Sequence, residues 1–400
     1  MSRLWDKGGS LDSRVLEFTA GEDHSLDDRL VAYDVRASIA HAEMLAEARL
    51  LSAEDLAKIR DGLISIGTAH AQGEWRVSLD EEDGQTALEA RLTAQVGAAG
   101  ARIHLGRSRN DQVLVAMRLY MRDVVGELAT AADAVAGALL ALAARQGTIA
   151  LPGYTHMQQA MPSSVDWWAR GFAAEIQDDA EGIRQTMRRI NRNPLGSAAG
   201  FGTPNLPISR EATCRKLGFD DVHEPVTAVQ LSRGKAESQL LFELTLLVQD
   251  LGRLAADLLL FYTREFSYVE LAATMTTGSS IMPQKRNPDV LELVRGRSAT
   301  ALACLVEALS IYSRLPSGYN RDLQLIKTPL FRGIDIAGQL LAILPAVLEG
   351  LRFRPENIKL DPSIQAAARA NDLAVKEGIP FRDAYRRVAD EVAGGDPGQP

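Results

Sequence analysis

A stripe of apolar residues at helical spacing is the feature that most limits what this chain can fold into. Between residues 235 and 262 the apolar positions recur at alternating intervals of four and three. That spacing is typical of a helix packed along its length against other helices. The stripe consists of Leu240, Leu244, Leu247, Leu251, Leu254, Leu258 and Phe261. A second stripe consists of Val113, Met117, Tyr120, Val124 and Leu128 and continues to Leu142.

The fold class predicted from these stripes is all-α. Strand-period alternation does not recur along the chain, and helical periodicity does. The further helical stretches are 163–191, 289–313 and 334–351. Long helices joined by short polar loops favour a bundle. We expect an N-terminal helical domain at 1–105, a central bundle of long helices at 106–352 and a short C-terminal helical region at 353–400.

Composition narrows the class of protein. At 400 residues with 46% hydrophobic content, the chain is long enough to bury a sizeable core. The net charge of -8 argues against nucleic acid as the main partner. Two cysteines, Cys214 and Cys304, fit a reducing compartment. We expect no segment to approach the ~18 apolar residues of a membrane span, and we therefore predict a cytoplasmic protein without a membrane or nucleic-acid partner.

Polar loops before three predicted helices concentrate the chemistry of the chain. They are GRSRND (106–111), LPGYTHMQQAMP (151–162) and TTGSSIMPQKRNPD (276–289), and a fourth polar segment is 315–327. Helix N-termini present free N–H groups and partial positive charge, so they attract anions. The polar side chains in these segments are Arg107, Ser108, Arg109, Asn110, Thr155, His156, Ser279, Ser280, Lys285, Asn287, Tyr319, Arg321, Gln324 and Lys327. If they converge, the site suits a small ligand with several carboxylates.

Each of these residues also has a simpler interpretation. A single serine, arginine or asparagine at a helix start is usually a cap or a solvated charge, and a lone histidine is usually structural. Four such segments in one chain favour a site. The six histidines show no metal-ligand spacing, and the glycine-rich run 196–202 lacks the ending of a phosphate-binding loop. The sequence therefore predicts neither a metal nor a cofactor.

Several motifs resemble those of known lyases. GSSIMPQKRNP (278–288) resembles the signature loop of the fumarase/aspartase superfamily, whose members release fumarate by β-elimination. The segments that resemble one branch of it, the argininosuccinate lyases, are GRSRNDQ (106–112), PGYTHMQ (152–158), NPLGSAAG (193–200) and YNRDLQLIK (319–327). This resemblance implies a homotetramer built on a central helical bundle, with active sites shared among subunits. It also implies a carbon–nitrogen lyase that converts a dicarboxylate, argininosuccinate, to arginine and fumarate in arginine biosynthesis.

The resemblance assigns a role to each matching position. Ser279 corresponds to the catalytic serine of a mobile loop, and Lys285 and Asn287 to residues that bind the succinyl carboxylate. His156, next to Thr155, corresponds to the catalytic histidine. Glu292 corresponds to the carboxylate paired with that histidine. The substrate-binding positions are Arg107, Ser108, Asn110, Thr155, Asn287, Tyr319, Arg321, Gln324, Lys327 and Gln85. We expect Ser279 to act as the base and His156 as the acid, although the reverse assignment stays open.

Some positions depart from the family pattern. Gln85 stands where the family usually has a histidine; it can orient a ligand but cannot titrate. Arg321 replaces an expected lysine, and Asp23 aligns near the usual substrate-binding serine. The C-terminal region is also short. Two alternatives therefore stay open: a relative that releases fumarate from another N-substituted aspartate, and a catalytically silent structural relative.

Overall fold

The computed structural model describes residues 12–394, and helices dominate that part of the chain. The helices are α1 (Ser13–Ala20), α2 (Asp23–Asp27), α3 (Val31–Glu47), α4 (Ala53–Ala71), α5 (Gly84–Val96), α6 (Ala98–Ala101), α7 (Arg109–Gln146), α8 (Val165–Gln185), α9 (Met187–Ile190), α10 (Arg210–Leu217), α11 (Ala228–Leu231), α12 (Lys235–Tyr262), α13 (Asp289–Tyr312), α14 (Lys327–Glu349), α15 (Ala366–Glu377) and α16 (Phe381–Gly394). The outermost parts of the predicted terminal regions, 1–11 and 395–400, lie outside the described residues.

Short β-pairs accompany the helices. The strands are β1 (Ala150–Thr155), β2 (Gln158–Ser164), β3 (Arg192–Asn193), β4 (Asp221–Val222), β5 (Val269–Glu270) and β6 (Arg352–Phe353). β1 pairs with β2 and β5 with β6 in antiparallel fashion, whereas β3 and β4 are parallel. Each pair has two strands, so no larger sheet forms between residues 12 and 394. The prediction of a mostly helical fold is confirmed.

The described chain divides into two compact units. The first unit contains the described residues up to Ala129, together with Glu181–Leu246 and Ala299–Ala337. The second contains Thr130–Ala180, Leu247–Ser298 and the described residues from Gly338 onward. Five helices (α7, α8, α12, α13 and α14) contribute residues to both units. The division into three regions made from the sequence stays a prediction.

In the first unit, the N-terminal helices build a compact apolar core. Leu45 of α3, Ile59 and Leu63 of α4, and Leu92 of α5 are fully buried against one another's helices. Ser52 caps α4 by accepting a hydrogen bond from the Asp55 N–H at 3.1 Å, as its position before the helix suggests. This core holds α5 in place, and Gln85 lies in the first turn of that helix.

In the second unit, aromatic rings form a core beside residues 276–289. These residues are called the lid segment, after the mobile loop that the resemblance implies. Trp168 packs edge-on against Phe353 at 5.6 Å between ring centroids, and Phe261 lies 5.7 Å from Tyr268. The Trp168 indole N–H also donates to Asp257 at 2.9 Å. Edge-to-face aromatic pairs add to the stabilisation from burial alone, so the chain that leads into the lid segment is firmly anchored.

The apolar stripes predicted from the sequence are buried. Every member of the stripe on α12 is at most 5% exposed, and the named members of the stripe on α7 are at most 9% exposed. The helix starts fall at Arg109, Val165 and Asp289, close to the predicted positions. The last long helix begins earlier than predicted, at Lys327 rather than residue 334, because the polar residues of its first turn hide the start of the apolar period.

Two helical stretches correct the expectation about membrane spans. Arg109–Gln146 and Arg321–Glu349 are long and apolar enough to cross a membrane by length and composition. The expectation that no segment approaches this limit is therefore wrong. Core helices of soluble proteins have the same length and composition, and both stretches carry fully buried side chains such as Leu139 and Leu344. Burial of one face within the protein accounts for their hydropathy.

Gly234, the residue before α12, tests how tightly the start of the long helix is packed. Its φ is +85°, and a Cβ atom there would lie 2.2 Å from the Tyr312 ring. We expect Gly234→Ala to lower the free energy of unfolding by about 3 kcal/mol, from left-handed strain and overpacking together. Gly137→Ala, in the interior of α7 with open space around it, is the control. Equal effects of the two substitutions in urea unfolding would contradict the prediction.

Candidate active site

The lid segment is an exposed loop closed at its neck. Thr277 and Asn287 exchange two backbone hydrogen bonds, of 3.0 and 2.8 Å. The Asn287 side-chain amide donates to the Gly278 carbonyl at 3.3 Å, and the Thr277 hydroxyl donates to the Asp289 carboxylate. Asn287 therefore closes the loop, while the carbonyl of Pro288 accepts the N–H groups of Leu291 and Glu292 in the first turn of α13. Between these anchors, Ile281 is 82% exposed.

Ser279 sits just inside this neck and is half-buried. Its Oγ accepts hydrogen bonds from the backbone N–H groups of Met282 at 3.1 Å and Ile281 at 3.4 Å. Backbone donors aimed at an oxygen stabilise negative charge on it. An alkoxide at this position would therefore have two backbone donors, and the catalytic role of Ser279 stays a prediction.

Lys285 closes the turn of the lid. Its N–H donates to the Met282 carbonyl at 3.0 Å. Its side chain lines a polar cavity of about 590 Å³. The other residues lining this cavity are Tyr262, Arg264, Ser267, Val269, Glu270, Leu271, Gln284, Arg286 and Arg354. The excess of cations there gives the lid segment a positive local environment.

His156 occupies the tip of a β-hairpin in a segment that the sequence indicates only as a loop. Thr155 pairs with Gln158, which leaves His156 and Met157 as a two-residue turn. Both turn residues have positive φ, of 52° and 62°. This turn usually requires glycine or asparagine, so two larger side chains there carry backbone strain of the kind found at functional sites. Thr155 and His156 are exposed.

Glu292, the predicted partner of His156, lies in the first turn of α13 and is exposed. Among residues 12–394 the structure records no ion pair and no hydrogen bond between His156 and Glu292. The lid segment, the hairpin tip and Glu292 all belong to the second unit. A pairing of these two side chains therefore stays a prediction.

The first unit contains the predicted substrate-binding residues outside the hairpin and lid. Glu82 is 2% exposed with φ 69°. Its carboxylate forms an ion pair with the Arg321 guanidinium at 2.8 Å, and that guanidinium also donates to the Thr19 carbonyl at 2.6 Å. Arg109 lies 2.7 Å from Asp83 and 3.5 Å from Glu82. The arginine that replaces the expected lysine thus ties three segments together.

Lys327 is fully enclosed by carboxylates. It is 1% exposed, and its Nζ lies 2.8 Å from Asp23 and 2.6 Å from Asp27. Burial alone would lower the pKa of Lys327, but the charges of Asp27 and Asp23 hold it above its usual value. Asp27 also accepts the Gly84 N–H at 3.0 Å. Asp23, which departs from the family pattern, therefore has a structural role, because its carboxylate neutralises the charge of buried Lys327.

Two amide side chains in the first unit lie among predicted substrate-binding residues. Gln85 is 2% exposed, and its side chain lies beside the Asp34 carboxyl, where it opposes the rise in the pKa of that group. Gln324 donates to the Tyr319 hydroxyl at 3.1 Å, while its Oε1 is buried and without a partner among residues 12–394. A buried polar atom without a partner costs about 1–3 kcal/mol, which is typical of groups positioned to meet a ligand.

Asp111, which the sequence analysis did not single out, organises the loop before α7. Its carboxylate accepts the N–H groups of Ser108 at 2.9 Å, Gly196 at 2.9 Å and Ala198 at 2.8 Å. Ser108 in turn accepts the Asn110 N–H at 3.3 Å. Asp111 thereby joins two motifs separated by over eighty residues. The signal in the sequence is an acidic residue in the first turn of a helix, which is too common to identify a function.

Arg107 points inward rather than toward solvent. It is 7% exposed, and its guanidinium donates to Ser38 at 2.9 Å. Burial lowers the pKa of Arg107, while the charges of Asp34, Glu89 and Asp111 oppose that shift. Its predicted substrate contact stays a prediction.

Comparison with known proteins identifies the class. The model of the lyase family matches residues 12–302. A solved variant of EDDS lyase with bound fumarate superposes with a TM-score of 0.81 at 25% identity, covering 97% of this chain and 77% of that one. Class II fumarase from Schistosoma mansoni shares the fold, with a TM-score of 0.79 at 18% identity over 96% of this chain and 92% of that one. Fold and loops together define a lyase with a fumarase/aspartase-like fold.

Sequence relatives narrow this class to one family. Argininosuccinate lyase from Sorangium cellulosum is 49% identical over 394 residues, covering 98% of this chain and 91% of the relative. Argininosuccinate lyase from Xanthomonas euvesicatoria is 42% identical over 397 residues, with the same coverage. The chain belongs to the argininosuccinate lyases, which are carbon–nitrogen lyases. The resemblance stated from the motifs is confirmed.

Asp34, beneath the site loops, gives a pH test of the first unit. It is 1% exposed, and burial raises its pKa to about 6 although Arg107 opposes this. A raised acid pKa means that its contribution to stability is complete below pH ~4 and is lost as pH rises through ~6. We expect wild type to lose about 3 kcal/mol relative to Asp34→Asn between those limits, measured by urea unfolding at several pH values. Exposed Asp61→Asn keeps Asp34 and should run parallel to wild type, whereas parallel curves for wild type and Asp34→Asn would contradict the assignment.

Proposed function

We propose that this chain splits argininosuccinate into arginine and fumarate, the reaction its family name describes, in arginine biosynthesis in the cytoplasm. The observation that carries the proposal is the serine oxygen in the lid, which receives two backbone N–H groups. The fumarate bound to the EDDS lyase variant supports a ligand with two carboxylates. Free, buried Cys214 and Cys304 are consistent with a reducing compartment.

The chemistry requires a base for a weakly acidic C–H beside a carboxylate. Loss of that proton places a second negative charge on the carboxylate. Ser279 takes the proton, and its alkoxide is stabilised by the N–H groups of Ile281 and Met282. Lys285 and Asn287 bind the carboxylate that receives the charge. Since serine is a weak base in water, the exposed lid must close over the substrate before the proton is removed.

His156 supplies the acid that protonates the departing guanidino nitrogen. Its exposed place on a strained hairpin turn allows it to reach a substrate. Glu292 would orient the ring by accepting one of its N–H groups. Since the structure records no pairing of these side chains among the described residues of one chain, we propose that a second copy supplies the partner.

We propose a homotetramer in which several copies contribute to each active site. Two long helices expose apolar side chains to water in a single chain. Contact with another copy of the chain would bury them. On α13 these are Leu293 (62% exposed), Leu302 (45%), Val306 (54%) and Leu309 (40%), and on α12 they are Phe242 (48%) and Leu246 (43%). Spacings of three and four place Leu302, Val306 and Leu309 on one helix face, as in helix-to-helix interfaces.

A second candidate is a lyase that releases fumarate from another N-substituted aspartate. Gln85 and Asp23 favour it, because both depart from the family pattern next to predicted substrate-binding residues. Incubating the purified protein with argininosuccinate and following fumarate by ultraviolet absorbance decides the matter. Fumarate from a different aspartate adduct alone would support the second candidate. No release from any adduct would indicate a silent relative.

The lid serine gives the sharpest test of the mechanism. We expect Ser279→Ala to reduce kcat by about 10²- to 10⁴-fold with KM nearly unchanged, because it removes proton transfer rather than binding. Ser280→Ala, the exposed neighbour, is the matched control and should stay close to wild type. Equal losses in the two variants would show that the loop tolerates no change and would remove the case for Ser279.

Solvent-proton exchange at carbon in Ser279→Ala and His156→Asn assigns base and acid.

Sharing of active sites between copies is tested by mixing two inactive variants. If the serine and the histidine of one site come from different chains, Ser279→Ala and His156→Asn refolded together will form some sites with neither substitution. We expect activity to appear in the mixture and in neither variant alone. Sedimentation of the mixture checks that tetramers have formed. A fully inactive mixed tetramer would show that one chain supplies both groups.

A further inference from the structure

Four cations lie among the nine residues that line a second cavity, in the first unit. Its volume is about 280 Å³. Its charged and polar lining consists of Arg118, Arg189, Arg192, His223, Ser232 and Lys235. None of these residues belongs to the predicted active site. Arg118 lies nine residues into α7, which is ~14 Å along the helix from Arg109.

The floor of this cavity is built and buried. Arg118 is 1% exposed; it donates to the Arg192 carbonyl and, at 2.8 Å, to the Ser232 hydroxyl. Its Nε has no partner among residues 12–394, and neither has Nδ1 of His223, which is 5% exposed. Burial and the neighbouring cations, Arg118 and Arg192 among them, lower the pKa of His223 to about 3. The ring is therefore a neutral hydrogen-bonding group at neutral pH.

The positive charges of this cavity are not paired. Within the described part of the chain the structure records no ion pair for Arg118, Arg189, Arg192 or Lys235. Glu237 in the first turn of α12 offsets part of the charge on Arg118. Nearby Arg210 is already paired with Glu224 at 2.5 Å. Four cations around one small cavity repel one another, and a bound anion would relieve that repulsion.

The local backbone adds to the attraction for an anion. Lys235 and Ala236, which line the cavity, are the first residues of the 28-residue helix α12. The first turn of a helix has N–H groups without intrahelical acceptors and a partial positive charge. Buried Arg118, three more accessible cations and the start of a long helix thus line the same space.

We propose that this cavity binds a small dianion, such as inorganic phosphate or a short dicarboxylate. Arg118 and His223 supply donors from the floor, Arg192 and Ser232 from the wall, and Arg189 and Lys235 close over the ligand from the exposed rim. The cavity volume of about 280 Å³ accommodates an ion of that size.

Titration calorimetry of the full chain with inorganic phosphate tests the site. We expect saturable binding that weakens by about tenfold or more in the double variant Arg192→Gln/Lys235→Gln, because two charge-assisted contacts are lost. The bond from Arg118 goes to the Arg192 backbone carbonyl, so the substitution keeps it. Arg188→Gln, an exposed neighbour that does not line the cavity, is the control. Melting without phosphate confirms that all variants are folded.

Competition identifies the dianion. Displacement of phosphate by sulfate but not by succinate would indicate a tetrahedral ion, and displacement by both would indicate any small dianion. Wild-type affinity in the double variant would overturn the proposal. It would also be overturned if Lys285→Gln abolished phosphate binding while the double variant kept it, because phosphate would then occupy the predicted active site.

Discussion

Burial of long apolar stripes is the constraint on which the rest of this structure depends. Leu247, Leu251 and Leu254 in the middle of α12 are completely buried, and each such side chain contributes about 1.5–3 kcal/mol. A single hydrogen bond contributes only about 0.5–1.5 kcal/mol. The helices can therefore carry strained turns and unsatisfied polar groups at their ends, which is where the candidate site residues lie.

Buried ion pairs then fix the polar loops. Lys327 between two aspartates, and Arg321 and Arg109 beside Glu82, are charges held within hydrogen-bond distance. Removing one partner of such a pair leaves a buried charge uncompensated, which is strongly destabilising. The cavity around Arg118 differs, because the structure records no ion pair for its cations among residues 12–394, and Glu237 offsets only part of the charge on Arg118. Because an uncompensated buried charge is unfavourable, the paired charges stabilise the loops, whereas the cavity around Arg118 favours a bound anion.

The sequence predicted much of the candidate site but not its contacts. The motifs named the polar loops and the family, and comparison with known proteins confirmed both the family and the helical fold. The hairpin that carries His156 was missed, because His156 and Met157 adopt positive φ without the glycine or asparagine that would signal such a turn. Asp23 was recognised as a departure, yet only the structure shows that its carboxylate meets Lys327.

The sequence by itself determined the helices, their buried faces and the motifs that place the chain among the argininosuccinate lyases. These properties are local, since the backbone repeats every 3.6 residues and the apolar period follows it. Only the tertiary structure decided which charges meet. Lys327 and Asp27 are 300 residues apart, and Arg118 reaches Ser232 across 114 residues. No local period encodes such pairs, because they depend on how whole helices pack, and that packing is a property of the entire chain.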